Sequence, residues 1–170
     1  MRRAIFLGSL IVVGALSMAA AAYQAPAQAP PATPAAPAPK ATLEIQKLKD
    51  NLYIISTGHA TGAGFVGGNT LVFVADRGAI VVDTKLAGYG QQLISLVKSV
   101  TDKPVVSVIN THTHNDHTGS NNEFPATVEF VAHENTAANL ARAECAPVTN
   151  CAAFKGDNAK FLPKTTFKDT

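Results

Sequence analysis

Between Thr111 and Ser120 the chain reads THTHNDHTGS, which places His112, His114, Asp116 and His117 within six residues. Neutral imidazole is the commonest side-chain ligand for zinc and similar cations, and carboxylate is its usual oxygen partner. In an extended segment alternate residues point the same way, so His112 and His114 can grip one ion together. Asp116 follows two residues on, and His117 is expected to leave on the opposite side. One short loop can thus offer two ligands to a first metal and two to a second. The plainer alternative is a polar surface loop rich in histidine. Three of the five histidines sit here at regular spacing, which favours metal.

The loop needs rigid neighbours. Val105 to Ile109 is a nearly continuous apolar run, consistent with a buried strand that delivers the histidines at its carboxyl end. Before it, Gln91 to Val100 sets Leu93, Ile94, Leu96, Val97 and Val100 at helical spacing, with Pro104 ending the segment. Leu43–Lys49, Asn51–Thr57, Asn69–Val74 and Ala79–Val82 read as short strands in meander order, with Asp76-Arg77-Gly78 as a hairpin signal. After the loop, Val128 to Ala132 reads as a strand and Glu134 to Arg142 as a helix.

HxHxDH, followed by a small residue and Gly119, resembles the signature of the metallo-β-lactamase superfamily. Upstream, Gly78-Ala79-Ile80-Val81-Val82-Asp83-Thr84 is similar to the family's strand that ends in an acidic residue. The resemblance covers roughly Asn51 to Arg142. It implies an α+β fold, the first ββα half of an αββα sandwich, incomplete at the C-terminus. It also implies zinc, two ions per complete domain, with His112 and His114 on the first and Asp116 with His117 on the second. In this reading Asp116 is the catalytic residue that orients the attacking water, and Asp83 braces the histidine loop without being a ligand. The reaction implied is attack by a zinc-bound hydroxide on an ester, thioester, lactone or β-lactam carbonyl. No nucleophilic Ser or Cys motif is visible, which fits direct hydrolysis. His117 directly after Asp116 looks more like thioesterases of the glyoxalase II type, lactonases, or the lactamase subclass with an all-His/Asp second site. The subclass that uses a cysteine at the second metal fits less well.

The family's later ligands have no counterparts after His117, and His133 is too near in sequence to serve. The chain is therefore expected to be a fragment of a longer hydrolase, inactive alone. The alternative is a non-catalytic metal-binding module on a flexible tether.

Composition adds the setting. Arg2 and Arg3 precede an apolar run from Ala4 to Met18 and an Ala-Ala-Ala site at Ala20 to Ala22, so residues 1–22 read as a signal peptide. Residues 23–41 hold six of the ten prolines among Ala and Gln and read as an extended linker, with the folded domain at 42–170. Without Arg2 and Arg3 the chain carries 12 basic against 12 acidic side chains, and no basic stripe that nucleic acid would need. The expected partner is a small-molecule substrate, with no nucleic acid and no stable membrane anchor after cleavage. The expected location is periplasmic or extracellular. Cys145 and Cys151, an even pair in an exported chain, suggest a disulfide. Gly62 to Gly67 spells G-x-G-x-x-G, but a β-rich run follows where a dinucleotide site needs a helix, so the glycines are read as turns beside the metal site. His59 reads as solvated and His133 as a cap or packing residue.

Overall fold

The computed structural model describes residues 41–58 and 61–169. The signal-type segment, the linker up to residue 40, and His59 lie outside these.

Strands β1 (Glu44–Lys49), β2 (Leu52–Ser56), β3 (Thr70–Val74) and β4 (Ala79–Val82) form the expected meander, each antiparallel to the next. The turn between β3 and β4 closes where Ala75 N donates to Gly78 O at 3.0 Å. After β4 the direction changes. Helix α1 (Gly90–Val100) carries the chain back, so β5 (Val105–Asn110) lies parallel to β4. The short helical turn α2 (Asn115–Thr118) leads on to β6 (Glu129–His133), and helix α3 (Glu134–Leu140) to β7 (Thr165–Phe167), both parallel additions. The seven strands stand side by side in chain order.

Alternation along the strands builds the core. Val72, Val81, Val108 and Phe130 are partners in one row across β3 to β6, and all four are buried. Leu93 and Val97 of α1 and Leu140 of α3 join the same cluster. They repeat at helical spacing, so one stripe of each helix leaves water. Each such side chain contributes about 1.5–3 kcal/mol on burial, and Leu93→Ala, which opens a void, is expected to cost about 2–5 kcal/mol. The adjoining row, Ile54, Leu71, Val82, Ile109 and Val131, is apolar but only half-buried, and Phe73 is 40% exposed.

Helix α1 starts without a side-chain cap of its own at Tyr89. Glu123, from the turn Asn121–Glu123, accepts from Gly90 N at 3.0 Å and from Gly88 N. A carboxylate there satisfies orphan donors and suits the positive end of the helix. This contact ties the helix to the segment just after the histidine loop. Helix α3 is two residues shorter than the sequence suggests, and His133 caps it, its Nδ1 accepting from Asn135 N at 3.1 Å. Between α3 and β7 the chain makes 3-10 turns at Asn150–Phe154 and Gly156–Phe161, whose Phe154 and Phe161 are buried. Neither these turns nor β7 is apparent from sequence pattern.

Candidate metal centre

The histidine loop leaves the carboxyl end of β5, as its sequence predicts. The His112 and His114 rings lie 4.5 Å apart between centroids. His117 departs from expectation. The turn α2, in which His117 N and Thr118 N both donate to His114 O at 3.1 Å, swings it back, and its ring lies 4.1 Å from that of His112. Asp116 Oδ2 stands 3.3 Å from His117 Nε2. All four predicted ligands therefore gather at one end of the sheet.

Asp83 governs this cluster from below. It ends β4 with a left-handed φ of 64° and is 4% exposed. Its Oδ1 accepts from Thr111 N at 2.8 Å, and its Oδ2 from Thr111 Oγ1 at 2.7 Å. The same Oδ2 lies 2.7 Å from His117 Nδ1. A carboxylate accepts, so Nδ1 carries a proton toward Asp83, and His117 Nε2 is turned to Asp116. The Thr111 hydroxyl, its proton committed to Asp83, accepts from His112 Nδ1 at 3.0 Å, which leaves the His112 Nε2 lone pair outward. One buried carboxylate thus fixes two imidazole tautomers, the role that carboxylates play behind metal-bound histidines.

Two of the resulting contacts bear on metal. His117 Nε2 and Asp116 Oδ2 face each other at 3.3 Å, an arrangement that a shared cation, or a proton on Nε2, satisfies. Burial, and then the neighbouring His117 and His114, hold the His112 imidazole below the usual range, with Asp83 and Asp116 opposing. A metal ligand must be neutral, so the direction suits one. Three imidazoles and a carboxylate are donors of the kind that zinc takes. Among the described residues, no group of three or more His, Cys, Asp or Glu side chains is placed to hold one ion.

Several supports were not evident from the sequence. Thr84 N donates to His117 O at 2.8 Å, and Thr84 Oγ1 to Asn121 Oδ1 at 2.7 Å. Asn110 and Asn121, both fully buried, exchange bonds of 3.2 and 2.7 Å between their amides. Lys85 O accepts from Gly119 N at 2.9 Å, and Lys85 Nζ donates to Gly68 O at 2.6 Å. The one available signal was a polar run, Asp83-Thr84-Lys85, ending an apolar strand. Among the described residues, every buried side-chain nitrogen or oxygen has a partner. Gly67 and Gly68 pack against the loop: a Cβ on Gly67 would lie 2.3 Å from Asp116 O, and one on Gly68 2.6 Å from His117 Cε1. The reading of the glycine run as turns beside the site is thus met at Gly67.

On the other flank, Cys145 and Cys151 form the expected disulfide. Within the loop it closes, Thr149 pairs with His114, and Asn150 N donates to Thr113 O at 2.9 Å. His133 stands apart, its Nε2 2.9 Å from Lys168 O.

A sheet that ends in HxHxDH braced by a strand-end aspartate defines a class. Residues 63–148 match the family profile described as the Metallo-beta-lactamase superfamily, a span that holds Asp83 and all four candidate ligands. The chain belongs to the metallo-β-lactamase superfamily, whose members are metallo-hydrolases that generally bind zinc. Among solved structures it is similar to a metallo-beta-lactamase from Pontibacter korlensis, with 26% identity and a TM-score of 0.56 over 75% of this chain and 54% of that one. It also shares a fold with the enzyme titled TMB-1, at 20% identity and a TM-score of 0.54, covering 75% of this chain and 52% of that one. The chain spans about half the length of the structures it matches. Its architecture is that of an incomplete αββα domain, of which it supplies the first ββα part.

Proposed function

We propose that this chain carries half of the metal centre of an exported hydrolase that acts on an ester, thioester, lactone or β-lactam carbonyl. The observation that carries the reading is the approach of His117 Nε2 to Asp116 Oδ2, with Asp83 holding Nδ1 on the far side of the same ring. His112 and His114 would hold a first zinc ion, and Asp116 with His117 a second. Bound zinc supplies a Lewis acid for the carbonyl and lowers the pKa of water to about 7. Asp116, half-buried, orients the attacking water by accepting a hydrogen bond. Asp83 keeps His117 and His112 in the ligating tautomer throughout. Catalytic zinc generally takes three protein ligands, so each pair is proposed to act with one donor more.

The signal-type N-terminus and the Cys145–Cys151 bridge support export to the periplasm or the exterior. The balanced charge favours a small-molecule substrate over nucleic acid.

A second reading is metal binding without turnover, from the same four side chains His112, His114, Asp116 and His117. One experiment separates the two. Zinc content and hydrolysis of a panel of esters, thioesters, lactones and β-lactams are measured on the full product of the gene that encodes this segment, and on His112→Ala and Asp116→Ala within it. Metal loss in both variants with turnover in the wild type supports the hydrolase; metal loss without turnover supports the binding module. A wild type that retains no zinc at micromolar concentration overturns both.

A further inference from the structure

Lys85 is the largest side chain that is fully buried, at 1% exposure, and its backbone is left-handed with a φ of 63°. Lysine is rarely buried, and a non-glycine residue in this region is strained. Burial pushes its ammonium down to about 8, with Asp83 pulling the other way. A well-packed apolar side chain of similar length would serve stability better. Stability therefore does not account for Lys85.

Its ammonium makes a 2.6 Å bond from Nζ to Gly68 O. Gly68 and Gly67 form the wall behind the second ligand pair, with Gly68 against the His117 ring and Gly67 against Asp116 O. The same wall is close to Lys85 itself, since a Cβ on Gly67 would also lie 2.9 Å from Lys85 Cα. His117 is thus held on two sides, by Asp83 at Nδ1 and by the Gly68 backbone at Cε1.

We infer that Lys85 is a positioning residue for His117: its ammonium ties Gly68 O, and the tied Gly67-Gly68 backbone holds the imidazole against Asp83 so that Nε2 points at the site. The consequence for ligation rests on the metal-centre reading proposed above. The positioning itself does not, because it concerns the free protein.

The test uses the full chain and begins without metal. Long-range 1H–15N spectra report the tautomer and ring environment of His117, and Co2+ titration followed by its visible absorption then reports the ligands. In the wild type His117 is expected as a single species with Nδ1 protonated toward Asp83. Lys85→Met, which keeps the length and loses the donor, is expected to give two exchanging tautomers. It should also weaken one class of Co2+ site about 10- to 100-fold, the range seen when groups behind metal ligands are removed. Lys85→Gln, which keeps an N–H donor, is expected to recover part of both signals, whereas a space-filling role predicts no advantage of Gln over Met.

A folded Lys85→Met with wild-type His117 resonances overturns the proposal. If that variant does not fold, Gly68→Ala reads the same wall with the lysine in place. Unchanged His117 resonances there overturn it equally. A wild type that binds no Co2+ sinks the metal reading alone, and the metal-free spectra still decide the role of Lys85.

Discussion

The histidine loop is held from two sides by supports of opposite character. On the inside is Asp83-Thr84-Lys85, at most 4% exposed, with two of its three residues in left-handed conformations. On the outside is the Cys145–Cys151 loop, mostly exposed, with Val148 70% open to solvent. The inner support reaches imidazole nitrogens and the carbonyls around them, and so decides which lone pairs face outward. The outer one reaches the backbone at Thr113 and His114 and the hydroxyl of Thr118, where Asn150 Nδ2 donates at 3.0 Å. Buried polar groups are costly unless satisfied, and once satisfied they specify a single geometry. An exposed loop closed by a covalent bond instead limits how far the rim can move. The chemistry is set from within, and the border is set from outside.

The largest effect should come from the inner side. Asp83→Ala leaves Thr111 N–H and His117 Nδ1 without their acceptor and takes the carboxylate partner from the Thr111 hydroxyl. Loss of about 3 kcal/mol is expected in urea unfolding, along with about 10- to 100-fold weaker zinc binding. Asp83→Asn retains an acceptor for Thr111 N–H and should fall between. If Asp83→Ala costs no more than a surface substitution, the inner support is not what fixes the loop.

Next is the pH dependence that Lys85 gives the inner support. Its pKa is about 8 folded against 10.5 for an ordinary lysine. Below pH 8 both states hold the proton, so Lys85 adds no slope. Between pH 8 and 10.5 the unfolded chain binds a proton that the folded chain has released, so stability rises with pH. The slope approaches about 1.4 kcal/mol per pH unit. Unfolding of metal-free wild type and Lys85→Met at pH 7.5 and pH 9.5 should show the wild type gaining on the variant. Parallel curves would mean that the lysine is not desolvated in solution.

The sequence carries the two supports unequally as well. His112, His114, Asp116 and His117 are legible because a metal site concentrates its ligands in one short run, and β4 and β5 because apolar runs ending in polar residues mark buried strands. The bridge is legible because two cysteines close in sequence, behind a signal-type N-terminus, suggest a disulfide. The return of the His117 ring toward His112 is not, since it depends on whether Asn115–Thr118 stays extended or coils by one turn. Nor are Thr84–Asn121, Asn110–Asn121 and Lys85–Gly68, which join residues 11 to 37 positions apart without any local pattern. The segment Asn150–Phe161 and β7 escape for a third reason: 3-10 turns and a three-residue strand have no period to detect.

On the outer side the effects should be smaller. Reducing the Cys145–Cys151 bond frees a loop of sequence separation 6, which loop-closure entropy makes worth about 2 kcal/mol. Because this loop touches backbone and not imidazole, reduction should lower the melting temperature while the His112 and His117 tautomers stay as they are. A tautomer change on adding reductant would show that both supports act on the ligands.

The smallest effect should be at Val148, where the backbone φ is 61° on an exposed, β-branched residue. That conformation costs roughly 1–2 kcal/mol for an L-residue, and glycine removes the cost while adding about 0.5–1 kcal/mol of unfolded-state entropy. Val148→Gly should therefore stabilise the protein by less than about 1 kcal/mol, with no change in zinc affinity. The sign is informative. If glycine destabilises, the valine side chain holds the rim in place despite its exposure, and the outer support is packed as well as cross-linked. If glycine stabilises and leaves metal binding alone, the strain belongs to the border of the site, and the ligands are insulated from it by the buried network beneath them.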